Sequence, residues 1–245
     1  MLLIPAIDLK EGQCVRLRQG RMDDATVFSD DPVAMAVQWM QAGGRRLHIV
    51  DLDGAFAGQP KNAELIRRMV EAIAPAPVQV GGGIRSLDTI DAYLSLGVRA
   101  CIVGTRAIED PAFLADAAAR FPQQILFGLD AREGRVATDG WDKTSELTAI
   151  DLARQAAQWP IAGVVYTDIA RDGMLSGVNV AATAELARTA GVDVIASGGV
   201  TNLDDLQALK TGFADQPERL IGAITGRAIY EGTLDLSAGQ SLLDA

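Results

Sequence analysis

Cysteine and histidine are nearly absent from this chain: Cys14, Cys101 and His48 are all that 245 residues contain. Two cysteines are too few for a disulfide framework or a cysteine metal cage, so the chain reads as a reduced, cytoplasmic protein. Long apolar runs are missing as well. No stretch approaches the roughly 20 residues that span a bilayer. Met1 to Asp8 has no basic start and is interrupted by Pro5 and Asp8, so it reads as a strand rather than a signal peptide. Positive charge is scarce: the formal net charge is −10 and no Lys/Arg cluster stands out, which excludes a nucleic acid as partner. Nor does any Pro/Gly/Ser-rich linker or low-complexity tract divide residues 1–245, so one domain is expected.

What is present is alternation. Runs such as Leu47-His48-Ile49-Val50, Val78-Gln79-Val80, Cys101-Ile102-Val103, Val164-Val165-Tyr166 and Val192 to Ala196 read as strands buried on both faces. Helical stretches follow them: Pro32 to Ala42, Ala63 to Ile73, Leu87 to Leu96, Pro111 to Arg120, Thr148 to Gln158, Ala181 to Ala190 and Leu203 to Leu209. Asp31, Ser86, Asp110 and Asn202 are suited to cap four of them. Eight strand-helix units in about 250 residues predict an α/β fold, a (β/α)8 barrel with its chemistry at the carboxyl ends of the strands. An open dinucleotide-binding sheet would need a Gly-x-Gly-x-x-Gly turn after the first strand, where Lys10-Glu11-Gly12-Gln13-Cys14 stands instead.

The chain also repeats itself. Asp8 and Asp130 each end an apolar run, Gly81-Gly82-Gly83 is answered by Ser197-Gly198-Gly199, and Ile102-Val103-Gly104-Thr105-Arg106-Ala107-Ile108 by Ile224-Thr225-Gly226-Arg227-Ala228-Ile229. The offsets barely drift, from 122 (Asp8 to Asp130) through 117 (Asp51 to Asp168) and 116 (Gly82 to Gly198) to 122 (Gly104 to Gly226). Two fused half-barrels, about 1–122 and 123–245, are the expected origin. Two carboxylates related by such a repeat can face one pocket as an acid and a base. The glycines permit tight turns in any case, but a doubled pattern points to two phosphate sites at opposite rims, where bare backbone turns its N–H groups toward oxygen. Candidate binding positions are Gly82, Gly83, Gly104 and Thr105 in one half and Gly177, Gly198, Gly199, Gly226 and Arg227 in the other.

The strings Pro5-Ala6-Ile7-Asp8-Leu9, His48-Ile49-Val50-Asp51-Leu52-Asp53-Gly54-Ala55, Gly81 to Arg85, Tyr166 to Gly173 and Ser197 to Val200 resemble those of the ProFAR isomerases, the phosphoribosylformimino-AICAR ribotide isomerase family of histidine biosynthesis. The resemblance is collinear from Met1 to about Leu236. It implies a substrate with phosphates at both ends, an Amadori rearrangement of an aminoaldose to an aminoketose, and neither metal nor organic cofactor. A monomer is expected.

By the same resemblance Asp8 is the base and Asp130 the acid, with Asp172 in Arg171-Asp172-Gly173 a rival for the acid because it too is expected to end a strand region. An ordinary Asp, with a pKa of about 3.9, is protonated only about once in a thousand at pH 7, so the acid needs a bias of about 4 kcal/mol. Thr167 is placed to hydrogen-bond the reacting sugar or an aspartate. His48 is a candidate at the pocket mouth and Trp141 for stacking on the imidazole, while Arg18, Arg85 and Arg227 could reach phosphate or carboxamide. Asp51 and Asp168 read equally well as scaffold residues. The alternatives are a bifunctional isomerase also acting on phosphoribosyl anthranilate, the cyclase subunit of imidazole glycerol phosphate synthase, and a barrel that merely binds a sugar phosphate. Against the cyclase, Ala6-Ile7-Asp8 and Arg16-Leu17-Arg18-Gln19-Gly20 depart from the Cys-Leu-Asp and Lys-Gly-Val-Asn-Phe of that family.

Overall fold

A computed structural model describes the backbone of residues 1–18, 21–138 and 143–245, and their side chains apart from those of 16–25 and 138–144. Eight parallel strands form a ring among these residues: β1 (Leu2–Lys10), β2 (Leu47–Asp51), β3 (Val78–Gly81), β4 (Ala100–Val103), β5 (Ile125–Arg132), β6 (Gly163–Asp168), β7 (Val194–Ser197) and β8 (Leu220–Thr225). Each pairs with the next, β8 pairs with β1, and the ring closes. Helices α1 (Pro32–Gln41), α2 (Ala63–Ile73), α3 (Leu87–Ser95), α4 (Pro111–Arg120), α5 (Ala149–Ala156), α6 (Val180–Ala190), α7 (Leu203–Gly212) and α8 (Leu236–Asp244) follow the strands in turn. The protein is a (β/α)8 barrel. No helix among the described residues is long and apolar enough to cross a membrane.

Strand periodicity divides the apolar residues into two bodies. Ile4, Ala6, Ala100, Leu126, Val165, Ile195 and Ile224 point inward and fill the barrel, while Leu3, Ile7, Leu47, Ile49, Val78, Val80, Cys101 and Val103 face the helices and form the larger core. The caps act as their residue types require: Asp31, Ser86, Asp110 and Asn202 accept the N–H groups of Ala34, Thr89, Phe113 and Asp205.

Two antiparallel hairpins depart from the simple alternation. Gln13–Arg18 and Arg21–Ser29 extend β1, and Arg135–Thr138 and Lys143–Thr148 extend β5. Their first turns match: Glu11-Gly12 has φ of 52° and 77°, and Glu133-Gly134 has 52° and 76°. Positive φ at both central positions suits the right-handed twist of the flanking strands. Short helices at Leu52–Ala57, Thr105–Glu109 and Arg227–Tyr230 open three further βα loops. Hairpins and short helices alike were invisible to a strand-helix reading.

Both cysteines are fully buried in the larger core. Burial pushes the thiols of Cys14 and Cys101 from 9.0 up to about 12 and, likewise foremost, the Tyr166 phenol from 10.0 up to about 12. An unfolded chain ionises these groups at the lower values, so unfolding releases protons and stability falls as pH rises from about 9 toward 12. The melting temperature should therefore drop steadily between pH 8.5 and 10.5, about the range where free thiols and phenols titrate. Neither thiol should react with a disulfide reagent at about pH 8 until denaturant is added. Rapid labelling of the native protein would contradict this burial.

Candidate active site

Two buried aspartates close the βα loops that frame the barrel mouth. Asp51, at the end of β2, accepts from the N–H groups of Gly54 (2.8 Å), Lys61 (2.8 Å) and Asn62 (3.1 Å) and from Asn62 Nδ2 (2.8 Å). Asp168, at the end of β6, accepts from Ala170 N–H (3.1 Å) and Asn179 Nδ2 (2.7 Å). In both cases the asparagine lies 11 residues further on and begins the next long helix. These carboxylates saturate loop donors, so they are scaffold residues.

The same aspartates fix the glycine turns. Gly82 and Gly198 have φ of 101° and 85°, and a Cβ on either would overlap the carbonyl oxygen of Asp51 or Asp168 respectively. Gly83 packs on the carbonyl of Gly54 and Gly199 on that of Gly177. A steric requirement thus accounts for glycine at these positions before any ligand is considered. Gly104 and Gly226 form a second pair: φ and ψ are −106° and −104° at one and −121° and −90° at the other, and each precedes a short helix with no side-chain cap.

One cleft of about 490 Å³ opens at the carboxyl ends of the strands, within the range of small-molecule sites. Asp8, His48, Gly82, Gly83, Arg85, Gly104, Thr105, Asp130, Thr167 and Asp172 all line it. A smaller recess of about 20 Å³ is lined by Asp172, Gly198, Gly199, Gly226 and Arg227, and it shares Asp172, Ser197 and Ile224 with the main cleft. Asp8 and Thr167 are buried and Asp130 half-buried. Asp130 stands opposite Thr167 in the register of β5 and β6, and Thr167 opposite Ser197 on β7.

Some residues sit differently from expectation. Asp172 does not end a strand: β6 stops at Asp168, and Asp172 lies in the following loop, its N–H bonded to the Asp168 carbonyl (3.1 Å). Gly177 lines neither cleft, and its carbonyl accepts from Arg171 Nη1 at 2.9 Å. Arg227 borders the recess, but its guanidinium is engaged by the carbonyl of Gly173 (2.7 Å) and by Glu231 (2.5 Å), so it also braces the loop that carries Asp172. Trp141 and the Arg18 side chain lie outside the described residues. Phe56, Arg106, Gly128 and Ser197 line the cleft without having been singled out. Phe56, 61% exposed near the end of the short helix Leu52–Ala57, was findable as an aromatic just past a strand-end motif.

Paired strand-end carboxylates, a mouth-sized cleft and glycine turns at both of its ends define a barrel enzyme that acts on a small molecule. The chain belongs to the family described as histidine biosynthesis protein, which it matches over residues 2–235. A protein of Hahella chejuensis is 58% identical over 245 residues, covering 100% of this chain and 99% of the relative. One of Marinobacter nauticus matches equally, 58% over 245 residues with 100% and 99% covered. One of Azoarcus sp. is 58% identical over 246 residues, covering 100% and 97%. All three are named 1-(5-phosphoribosyl)-5-((5-phosphoribosylamino)methylideneamino) imidazole-4-carboxamide isomerase.

The scaffold role is measurable. Asp51→Ala takes the carboxylate acceptor from three backbone N–H groups and one of two acceptors from the Asn62 amide. Hydrogen bonds to a charged group contribute about 1.5–3 kcal/mol each, so urea unfolding should show a loss of at least about 3 kcal/mol. A variant as stable as the parent would remove Asp51 from the scaffold.

Proposed function

We propose that this chain is the isomerase its relatives are named for, converting the aminoaldose ProFAR into the aminoketose PRFAR by an Amadori rearrangement with aspartates as acid and base. The observation that carries the reading is a single cleft bordered by the carboxylates of Asp8 and Asp130, which stand on strands half a barrel apart, with glycine turns of matching backbone geometry beside each.

The chemistry follows from those groups. A protonated carboxyl, on Asp130 or Asp172, gives its proton to the ribose ring oxygen, so the C1–O bond breaks and an iminium forms. Asp8 takes the proton from the adjacent C2, leaving an enaminol. Ketonisation moves the hydroxyl hydrogen off O2 and a proton onto C1, and no oxidant is consumed. Thr167, opposite Asp130 in the sheet register, holds the reacting sugar or the acid.

Recognition rests on the two ends. One phosphate sits on the N–H groups around Gly82, Gly83, Gly104 and Thr105, the other on those around Gly198, Gly199, Gly226 and Arg227, with Arg85 and His48 bordering the cleft; the family resemblance alone adds Gly177, Arg18 and Trp141. The net charge of −10 repels a bisphosphate at long range, so local donors must hold it. Supporting the double site is the equivalence of the two halves, about 1–122 and 123–245: hairpin turns, clamp aspartates and glycine turns recur at matching places. A duplicated half-barrel accounts for that recurrence. The reading is of a cytoplasmic monomer that binds no nucleic acid and needs neither metal nor organic cofactor.

Direct spectrophotometric assay with ProFAR tests the reading, and assays with phosphoribosyl anthranilate and with added ammonia separate it from the bifunctional isomerase and the cyclase. Asp8→Asn should lower isomerisation by at least about a hundredfold, the low end for a general base, while ligand affinity stays nearly intact. Near-parental turnover would remove Asp8 from its role. Of Asp130→Asn and Asp172→Asn, the one that replaces the true donor should abolish the alkaline limb of the pH profile.

A further inference from the structure

Below the catalytic rim the barrel interior holds one polar pair that its packing does not need. His48 on β2 and Gln79 on β3 are neighbours in the strand register, and Gln79 Nε2 lies 3.0 Å from His48 Nδ1. Gln79 is 1% exposed, and its Oε1 finds no hydrogen-bond partner among the described residues. A buried acceptor left unpaired is destabilising, and native proteins keep few of them. The other half of the barrel has no such arrangement. At offsets of 117 and 116 residues the equivalent positions are Val165 and Ile195, again register neighbours, and both belong to the apolar filling of the barrel. An apolar pair packs this layer, so the polar one is retained for something other than the fold.

We infer that Gln79 is a positioning residue for the proposed isomerisation: its side-chain amide donates to Nδ1 of His48 and so fixes the neutral imidazole as the Nε2–H tautomer in the wall of the cleft. The proposal rests on the isomerase reading for its consequence, not for its geometry. A neutral imidazole has one donor and one acceptor nitrogen, and a hydrogen bond at one decides the other. With Nδ1 accepting from Gln79, the ring presents Nε2 as a hydrogen-bond donor. The cleft that His48 borders is the place where sugar oxygens and phosphate would lie. Without Gln79 the contact that favours this tautomer at Nδ1 is lost, and an acceptor nitrogen facing a substrate oxygen repels it. Gln79 itself touches no substrate, since it is absent from the cleft lining and acts through His48.

The test uses the fact that His48 is the sole histidine of the chain. In the full-length protein labelled with 15N-histidine, at about pH 8 where an ordinary imidazole is neutral, the ring nitrogens report the tautomer without any substrate. Nδ1 should carry the shift of an unprotonated nitrogen and Nε2 that of a protonated one. Gln79→Ile copies the residue of the other half and should leave the melting temperature unlowered, yet move the two nitrogen shifts toward each other as the Nδ1–H tautomer gains population. It should also reduce kcat/KM for ProFAR about tenfold, the scale of one hydrogen bond. In a His48→Ala background the same change should cost nothing further. A proton on Nδ1 in the parent protein would overturn the proposal, as would an equal loss from Gln79→Ile with and without His48. Absence of turnover in the parent would instead overturn the isomerase reading and leave the tautomer assignment standing.

Discussion

The catalytic face depends on a single constraint, used twice: a buried aspartate at a strand end that saturates the donors of its own βα loop while its backbone carbonyl presses on the next strand's glycine. Asp51 does this for the loop after β2 and for Gly82, and Asp168 for the loop after β6 and for Gly198. Carboxylate and carbonyl belong to one residue, so loop closure and turn placement cannot vary independently. The glycine turns are thereby held at fixed depth on both sides of the cleft. Rigid placement of this kind is what the proposed phosphate sites need, since bare backbone N–H groups would have to hold an anion in a protein whose overall charge opposes it.

On that common frame the two sides of the barrel also differ. The carboxylates of Asp8 and Asp130 occupy equivalent positions yet meet different neighbours: Val50 stands beside Asp8 in the register and Thr167 beside Asp130. One layer deeper, His48 and Gln79 replace what would be Val165 and Ile195. Beyond β6, Arg227 reaches across to Gly173 and holds the loop that places Asp172 on both the main cleft and the small recess. Two carboxylates of the same residue type can be told apart only by their surroundings, and these departures from equivalence are what the proposed division into acid and base draws on.

Much of this was legible in the sequence because it is written as short-range pattern. Continuous Val/Ile/Leu runs gave the buried strands, apolar spacing gave helices such as Ala63–Ile73 and Pro111–Arg120 to the residue, and Asp, Ser and Asn marked their starts. The hairpins were missed because their turns begin with Glu11 and Glu133, where positive φ is ordinarily signalled by Asn, Asp or Gly. Roles decided by three-dimensional neighbours were harder to read. Asp51 and Asp168 carry the same motif signal as a catalytic carboxylate, and only their bonds to Asn62 and Asn179 show where their charge is spent. The conflict between Arg227 as an anion ligand and as a brace likewise arises from a carbonyl 54 residues away.

The central claim is that one barrel holds anionic groups at two equivalent rims with the carboxylates between them. A crystal structure of the protein grown with inorganic phosphate tests it most directly. Two phosphates per chain are expected, one against the N–H groups of Gly83, Gly104 and Thr105 and one against those of Gly199, Gly226 and Arg227. A single phosphate at saturating concentration, with the other rim bare, would contradict the account and leave a barrel built for a sugar with one anionic end.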